Sequence, residues 1–217
     1  RITLDEAARS NPADYASFNE FFIRPLKDGV IADFNVTGKM LKEFIHKVNN
    51  SKWSAPPRIV ICVPCGATQV ERKAIRDSAQ EAGASAVYLI EEPIAAAIGV
   101  GIDLFEPKGH LIVDIGGGTT EIAFIVSGGA AVSKSVKIAG DHLNEDIMEY
   151  VKEKHNLLIG EKTAEDLKIL ATNEEDSTKM YEIKGAESVS GIPKEIKITV
   201  EEVNNAIDIS INHIIYE

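Results

Sequence analysis

The chain has 217 residues, of which 44% are hydrophobic and 26% are charged, and its formal net charge is −11. These values are ordinary for a globular protein of one or two domains. The acidic balance argues against a general nucleic-acid binder and gives no attraction to anionic lipid. Two cysteines are too few for a disulfide framework, and a reducing cytoplasm is the simplest setting. No apolar stretch approaches the length of a membrane span, and no signal peptide is visible.

The first quarter of the chain indicates extended and helical segments. Ile23–Phe34 is typical of two short extended pieces, and Thr37 precedes an amphipathic helix. The residues predicted to form the apolar face of this helix are Met40, Leu41, Phe44, Ile45 and Val48. The composition of residues 49–58 predicts a loop, which contains Trp53.

Two strand–helix pairs follow this loop. We predict, in order, a buried strand over Ile59–Val63, a helix opened by the capping box of Thr68 and Glu71, a strand over Val87–Ile90 and a helix over Pro93–Gly101. The residues predicted to face inward from the first helix are Val70, Ala74, Ile75, Ala79 and Ala82. Strands that alternate with helices favour an α/β layer with parallel pairing.

The pattern changes after a linker near Phe105–Gly109, where we predict a domain boundary. Three strands follow, over His110–Ile115, Glu121–Ser127 and Ala131–Ile138. The short glycine-rich loops between them require antiparallel neighbours. The predicted domains are residues 1–106 and 107–217, the second with a small subdomain over about 157–217.

The rest of the second domain is predicted to be mainly helical. The predicted elements are helices over about Asp141–Lys154 and Thr163–Ala171, a β-rich segment over Lys179–Lys197 with turns at Gly185 and at 191–193, and a helix after the capping box of Thr199 and Glu202. The chain does not start with methionine, and its last helix shows no stop signal before the C-terminus. We therefore expect a fragment of a longer protein.

The turn between the first two of the three strands carries the clearest chemical signal. Asp114 ends one strand, Gly116–Gly118 follow, and Thr119 and Thr120 precede the next strand. Glycines let successive backbone N–H groups approach an anion, Asp114 is placed to hold a hydrated Mg²⁺, and the threonines add hydroxyl donors. This pattern predicts phosphate binding; the alternative is a glycine-rich hairpin without a ligand. A Walker loop is excluded, because GxxxxGK[ST] is absent.

Several motifs occur in the order and spacing of one family. The chain contains IRPLKDGVIADF, VPCGATQVERKAIRDSA, LIEEPIAAAIGVG, VDIGGGTTE and GEKTAEDLK, and from about Ile23 onward it resembles the MreB family of bacterial actin homologues. The resemblance implies an α/β, actin-like ATPase fold of two ribonuclease-H-like domains, each truncated here, with ATP and Mg²⁺ between them. The family's first phosphate hairpin, of the form DLGTAN, and its C-terminal adenosine motif are absent. We therefore expect nucleotide binding by this chain alone to be impaired.

Glu92 is the predicted catalytic residue. Pro93 fits the first helical position, which places Glu92 at a helix N-terminus, where the macrodipole favours an ionised, water-orienting carboxylate. The resemblance implies that Glu92 takes the catalytic polar position of the superfamily; the alternative is a charge that only stabilises the helix. The other implied contacts are Thr120 to the attacking water, Asp114 to Mg²⁺ through water, and Gly116, Gly117, Gly118 and Thr119 to phosphate oxygens.

Two further pairs are candidates for nucleotide contacts. Gly140 and Asp141 lie at a predicted helix start, which suits an anion, with ordinary N-capping by Asp141 as an equal alternative. By the resemblance, Glu165 and Lys168 match a pair near the ribose and adenine. Residues three apart share a helix face, so an exposed ion pair is the alternative.

Three other features have weaker signals. Cys62 and Cys65 form a C-x-x-C pattern, but Cys62 falls inside a predicted strand, which argues against redox chemistry. Trp53 resembles the membrane-facing loop of the family, since indole suits a membrane interface; the alternative is a tryptophan folded back on its own domain. The five histidines show no ligand spacing.

The motifs together predict a protein that binds and hydrolyses ATP. The resemblance implies further that protomers stack head to tail in open filaments that help to determine bacterial cell shape. It also implies a cytoplasmic location at the inner face of the cell membrane, with morphogenesis membrane proteins as partners. The alternative is a chaperone-like or kinase-like ATPase of the same superfamily that does not polymerise.

Overall fold

A computed structural model describes residues 26–27, 30–31, 33–48 and 55–217 of the chain. Its elements are β1 (Leu26–Lys27), β2 (Val30–Ile31), α1 (Phe34–Val48), β3 (Arg58–Val63), α2 (Gln69–Glu81), β4 (Ala86–Glu91), α3 (Glu92–Gly99), β5 (His110–Ile115), β6 (Thr120–Val126), β7 (Gly129–Val136), α4 (Gly140–His155), β8 (Leu157–Leu158), α5 (Glu161–Thr172), β9 (Met180–Glu187), β10 (Pro193–Thr199) and α6 (Val200–Tyr216). The loop with Trp53, and with it the predicted membrane contact, lies outside the described residues.

The chain divides into two compact units. Unit 1 comprises Arg1–Ile61 and Ala67–Leu89, and unit 2 comprises Cys62–Gly66 and Ile90–Glu217. This division differs from the boundary predicted between residues 106 and 107, because α3 packs against β5 and β6 and therefore belongs to unit 2. Every residue of the predicted nucleotide site lies in unit 2.

In unit 1, α1 packs against α2. Helix α1 begins before its predicted start: Asp33 Oδ1 accepts a hydrogen bond from the Val36 amide at 2.9 Å, so Asp33 caps the helix. Thr37 lies inside the helix, buried, and its hydroxyl donates to the Asp33 carbonyl at 2.7 Å. Helix α2 has the predicted capping box of Thr68 and Glu71.

Four burial predictions in the first part of the chain are wrong. Val70 was predicted to face inward but is 79% exposed, because it lies in the first turn of α2, beside the cap. Phe44 and Val48, predicted on the apolar face of α1, are also exposed. Strand β3 has its predicted position, but exposed and half-buried residues alternate along it and only Val63 is buried.

The three strands after the linker form the predicted antiparallel sheet of unit 2, in the order β5-β6-β7. Helix α3 packs against this sheet, where Ala97 is buried together with Ala123 and Ile125 of β6. Ile115 and Thr120 are the last paired residues of β5 and β6. Residues 116–119 therefore form the turn of a hairpin, as predicted.

The turn between β6 and β7 is formed by Ser127 and Gly128, one residue earlier than predicted. Their φ angles are 50° and 86°, and a two-residue hairpin turn with two positive φ angles is of type I′, which favours asparagine before glycine. We expect Ser127→Asn to raise the free energy of unfolding by about 0.5 kcal/mol. Ser127→Val, which is β-branched, should lower it. Urea unfolding measures both, and an asparagine variant no more stable than the parent contradicts the expectation.

The remaining elements of unit 2 surround a second apolar core. Helices α4, α5 and α6 pack against one another, and β8, β9 and β10 form an antiparallel sheet. The buried residues of this second core are Leu143, Ile147, Val151, Leu157, Ala164, Leu167, Ala171, Ile183, Ile198, Val200, Val203 and Ile207. The predicted capping box of Thr199 and Glu202 opens α6, and Glu202 also contacts His155, at the end of α4, at 3.0 Å. No helix in the part of the chain that the structure describes could cross a membrane.

Gly185, predicted to form a turn, lies inside β9 instead. A Cβ atom at Gly185 would lie 2.3 Å from the Leu158 carbonyl oxygen in β8. The glycine therefore permits the close approach of two strands. We expect Gly185→Ala to lower the free energy of unfolding by about 1–3 kcal/mol, measured by urea unfolding. Gly129→Ala is the matched control, because a Cβ there meets no atom within 4 Å; equal destabilisation by the two variants contradicts this account.

Candidate functional site

The turn between β5 and β6 presents three consecutive amides that have no acceptor within the described residues. The Gly116 amide donates to the Thr119 carbonyl at 2.9 Å and closes the turn. The amides of Gly117, Gly118 and Thr119 donate to no acceptor among the residues that the structure describes. Successive free N–H groups in a tight turn form a concave anion site, which fits the phosphate contacts predicted for Gly117 and Gly118. The contact predicted for Gly116 is wrong, because its amide is used within the turn.

The start of α4 holds this turn in place. The Gly140 amide donates to the Gly116 carbonyl at 3.0 Å, and the Asp141 amide donates to the Gly117 carbonyl at 2.8 Å. The prediction that these two amides face an anion is therefore wrong. N-capping by Asp141 is wrong as well, since Ala139 occupies the N-cap position. The Asp141 carboxylate lies beside the turn, 3.5 Å from the position of a Cβ atom on Gly117, where a negative charge suits a cation.

Lys168 places a positive charge close to the same turn. Its ammonium group donates to the Gly140 carbonyl at 2.8 Å, so α5 is tied to the start of α4. Glu165 is exposed and forms no ion pair within the described part of the chain. The alternative of an exposed pair between Glu165 and Lys168 is therefore wrong, and contacts of the two residues with ribose and adenine stay a prediction.

The two threonines after the glycines are buried. Thr120 is fully buried, and its hydroxyl donates to the Ile138 carbonyl at 2.7 Å. The predicted role of Thr120 in placing the attacking water is therefore wrong: its proton is already donated, and water has no access to it. Thr120 instead ties β6 to the segment before α4. Thr119 is 7% exposed and lies in the turn itself, and its contact with phosphate stays a prediction.

Glu92 lies at a helix N-terminus, as predicted, but its electrostatic environment differs from the expectation. It is the first residue of α3, after Glu91 at the N-cap position. Burial raises the pKa of the Glu92 carboxyl, and the charges of Glu121 and Asp114 raise it further. These effects outweigh the helix dipole, which alone would lower the pKa. A carboxylate with increased proton affinity suits a group that accepts a proton from water.

Sequence reasoning missed Glu121, which is 1% exposed. Its carboxylate accepts hydrogen bonds from the Cys65 amide at 2.9 Å and from the Ser135 hydroxyl. Asp114 is its partner across the β5–β6 pair. The only local feature of the sequence that points to Glu121 is the presence of a charged residue at the start of an otherwise apolar strand. Glu121, Asp114 and Glu92 together make this part of unit 2 acidic, which fits a hydrated Mg²⁺ beside a phosphate site.

Neither cysteine has the lowered thiol pKa that redox chemistry requires. Burial raises the pKa of the Cys65 thiol to about 11, and the charges of Glu91 and Glu121 act in the same direction. The pKa of Cys62 is also raised, by burial and by the charges of Glu92 and Asp114. Because a redox thiol needs a lowered pKa, these shifts agree with the argument from the sequence against redox chemistry.

A family model described as MreB/Mbl protein matches residues 19–217. The chain belongs to the MreB/Mbl family. It is 50% identical over 187 residues to the cell shape-determining protein Mbl of Bacillus subtilis (strain 168), a match that covers 85% of this chain and 56% of Mbl. It is also 50% identical over 188 residues to the cell shape-determining protein MreB of Escherichia coli (strain K12), covering 85% of this chain and 54% of MreB. The chain spans about half the length of these MreB/Mbl relatives.

Solved structures have the same fold. MreB5 of Spiroplasma citri bound to ADP matches with a TM-score of 0.81 and 40% identity, over 88% of this chain and 58% of MreB5. MreB5 bound to AMPPNP matches with a TM-score of 0.80. A MamK double helical filament has a TM-score of 0.72 at 22% identity, over 94% of this chain and 63% of MamK, and shows the fold alone. The predicted α/β, actin-like fold and the predicted resemblance to the MreB family are confirmed.

Proposed function

We propose that the chain forms the phosphate- and Mg²⁺-binding part of an actin-like ATPase. The observation that carries this proposal is the row of amides at Gly117, Gly118 and Thr119, which have no acceptor in the part of the chain that the structure describes, in the turn that follows Asp114. Free N–H groups beside a carboxylate match the needs of a phosphate group bound together with Mg²⁺. The MreB5 structures, whose ligands are ADP and AMPPNP, support the class of ligand.

Each residue has a separate task in the proposed reaction. The turn amides hold terminal phosphate oxygens, Asp114 holds the hydration shell of Mg²⁺, and Glu92 accepts a proton from the water that attacks the γ-phosphate. Bound Mg²⁺ supplies charge neutralisation on the phosphate oxygens. Lys168 adds a positive charge through its contact at Gly140.

The proposal extends to the assembly of the longer protein. Protomers stack head to tail, ATP binding favours the polymer and hydrolysis weakens it, and the filaments help to determine cell shape. The names of the Mbl and MreB relatives, both cell shape-determining proteins, support this role. A location at the inner face of the cell membrane, reached through the Trp53 loop and morphogenesis membrane proteins, belongs to the same proposal and depends on the sequence resemblance.

The test uses a chimaera in which residues 19–217 of this chain replace the matching segment of Escherichia coli MreB. We expect the chimaera to hydrolyse ATP and to sediment as polymer with ATP but not with ADP. Hydrolysis by a chimaera that stays monomeric at high concentration would remove the filament proposal and favour the non-polymerising alternative. A folded chimaera that neither binds nor hydrolyses ATP would contradict the proposed nucleotide site.

A further inference from the structure

The turn that follows β3 is attached to β6 and β7 by a buried carboxylate. Glu121 accepts a hydrogen bond from the Cys65 amide in this turn and another from the Ser135 hydroxyl of β7. Gly66 makes the contact close, because a Cβ atom there would lie 3.1 Å from the Ser135 Cβ. The turn therefore lies directly on the two strands.

The same turn also contacts the start of α3. The Cys65 thiol lies 3.9 Å from Glu91 Oε2, and Glu91 is the N-cap residue directly before Glu92. Cys65 thus bonds to β6 through its amide and to the beginning of α3 through its thiol. Glu121 also pairs with Asp114 across the hairpin. Glu121 and Cys65 therefore connect Asp114, which is proposed to hold Mg²⁺, with the start of α3, where Glu92 is proposed to accept a proton from water.

We propose that Glu121 is a positioning residue that, through Cys65, fixes Glu92 relative to the phosphate-binding turn. This inference rests on the proposed function, since only an ATPase needs that geometry. A buried carboxylate is costly unless its oxygens are hydrogen-bonded, so Glu121 holds both of its partners in place. A displacement of about 1 Å at a reacting group can slow a reaction about 100-fold, and a fixed Glu92 avoids that loss.

Amide hydrogen exchange in the 217-residue chain tests the connection without nucleotide. Glu121→Ala is expected to accelerate exchange of the Cys65 amide about tenfold or more, since a hydrogen bond to a charged group is lost, and to shift the Glu92 amide resonance. Glu121→Gln keeps an acceptor oxygen and should retain the protection. Glu145→Ala, at an exposed glutamate of α4, is the control. Parental exchange at Cys65 in the alanine variant overturns the proposal.

A second variant keeps the proposal testable if Glu121→Ala fails to fold. Cys65→Ala retains the backbone N–H but removes the thiol that contacts Glu91. We expect it to shift the Glu92 amide resonance and to leave protection of the residue 65 amide unchanged. An unshifted Glu92 resonance in this variant means that Cys65 does not connect the two sides, and the proposal fails.

The kinetic consequence is measured in the chimaera defined above. Glu121→Ala is expected to lower kcat about 10–100-fold with little change in the KM for ATP, whereas Glu121→Gln, which keeps an acceptor oxygen, should lose less. Parental kcat in the alanine variant, or equal losses in kcat for both variants, overturns the proposal. An inactive parent chimaera counts instead against the proposed function, and hydrogen exchange then still decides whether Glu121 positions Glu92.

Discussion

Glu92→Gln is expected to slow ATP hydrolysis by the chimaera at least about 100-fold, the usual contribution of a residue that accepts a proton in the transition state. Glutamine keeps the size of the side chain and its place at the start of α3, so nucleotide affinity should stay near that of the parent. Single-turnover hydrolysis and calorimetric titration with AMPPNP measure the two quantities. Glu145→Gln, at an exposed position of α4, is the control and should hydrolyse ATP at the parental rate. A Glu92→Gln variant that keeps the parental rate would assign the proton acceptor to another group.

The same substitution should change the dependence of stability on pH. The pKa of Glu92 is raised in the folded chain by burial and by Glu121 and Asp114, so the folded state binds more protons than the unfolded state above the usual carboxyl pKa. Stability therefore falls as pH rises from the unfolded to the folded pKa. Glu92→Gln removes this loss, so we expect its melting temperature to exceed that of the parent at pH 7 and the difference to disappear below about pH 4. A Glu92→Gln variant less stable than the parent at pH 7 would contradict the raised pKa.

Asp114→Asn is the second substitution with a large expected effect. Asparagine fits the same position in β5 but lacks the charge that attracts hydrated Mg²⁺. In the presence of Mg²⁺ we expect the affinity of the chimaera for AMPPNP to fall roughly 10–100-fold. This is the usual loss when a residue that hydrogen-bonds to the ligands of a metal ion is replaced. Calorimetric titration with and without Mg²⁺ measures the effect.

The control for this prediction is the metal dependence itself. Without Mg²⁺ the parent and Asp114→Asn should bind AMPPNP with similar affinity, because the missing charge has no ion to attract. Asp208→Asn, at an exposed position of α6, should behave like the parent in both conditions. A loss of affinity of equal size with and without Mg²⁺ would mean that Asp114 shapes the hairpin rather than holding the metal.

Local sequence patterns predicted the elements of the fold well. The capping boxes at Thr68 and Thr199 depend on residues three apart, and both are present in the structure. The hairpin around Gly116–Thr119 likewise depends on two neighbouring strands and the turn between them. Asn156, which ends α4 in the left-handed conformation, and Gly185, which lies against β8, have roles that the local pattern does not reveal.

The details of the site depend on contacts between distant parts of the chain. The amides of Gly140 and Asp141 look available from the sequence, but carbonyls more than 20 residues away accept their hydrogen bonds. Thr120 donates to a carbonyl 18 residues away, and Glu121 accepts from an amide 56 residues away. The raised pKa of Glu92 also depends on distant residues, because two of its causes are the carboxylates of Glu121 in β6 and Asp114 in β5. Such contacts follow from tertiary packing, which periodicity and spacing do not report.

The most direct test of the phosphate site is a titration of the isotope-labelled 217-residue chain with AMPPNP and Mg²⁺, followed through its amide resonances. We predict saturable shifts for Gly117, Gly118 and Thr119, with weak affinity because the chain spans only about half the length of its MreB/Mbl relatives, and no shift at the Ser127–Gly128 turn. Asp114→Asn should abolish the Mg²⁺-dependent part of the response. Saturable binding that leaves the three turn amides unshifted, or no response at millimolar nucleotide, would contradict the assignment of this turn to phosphate binding.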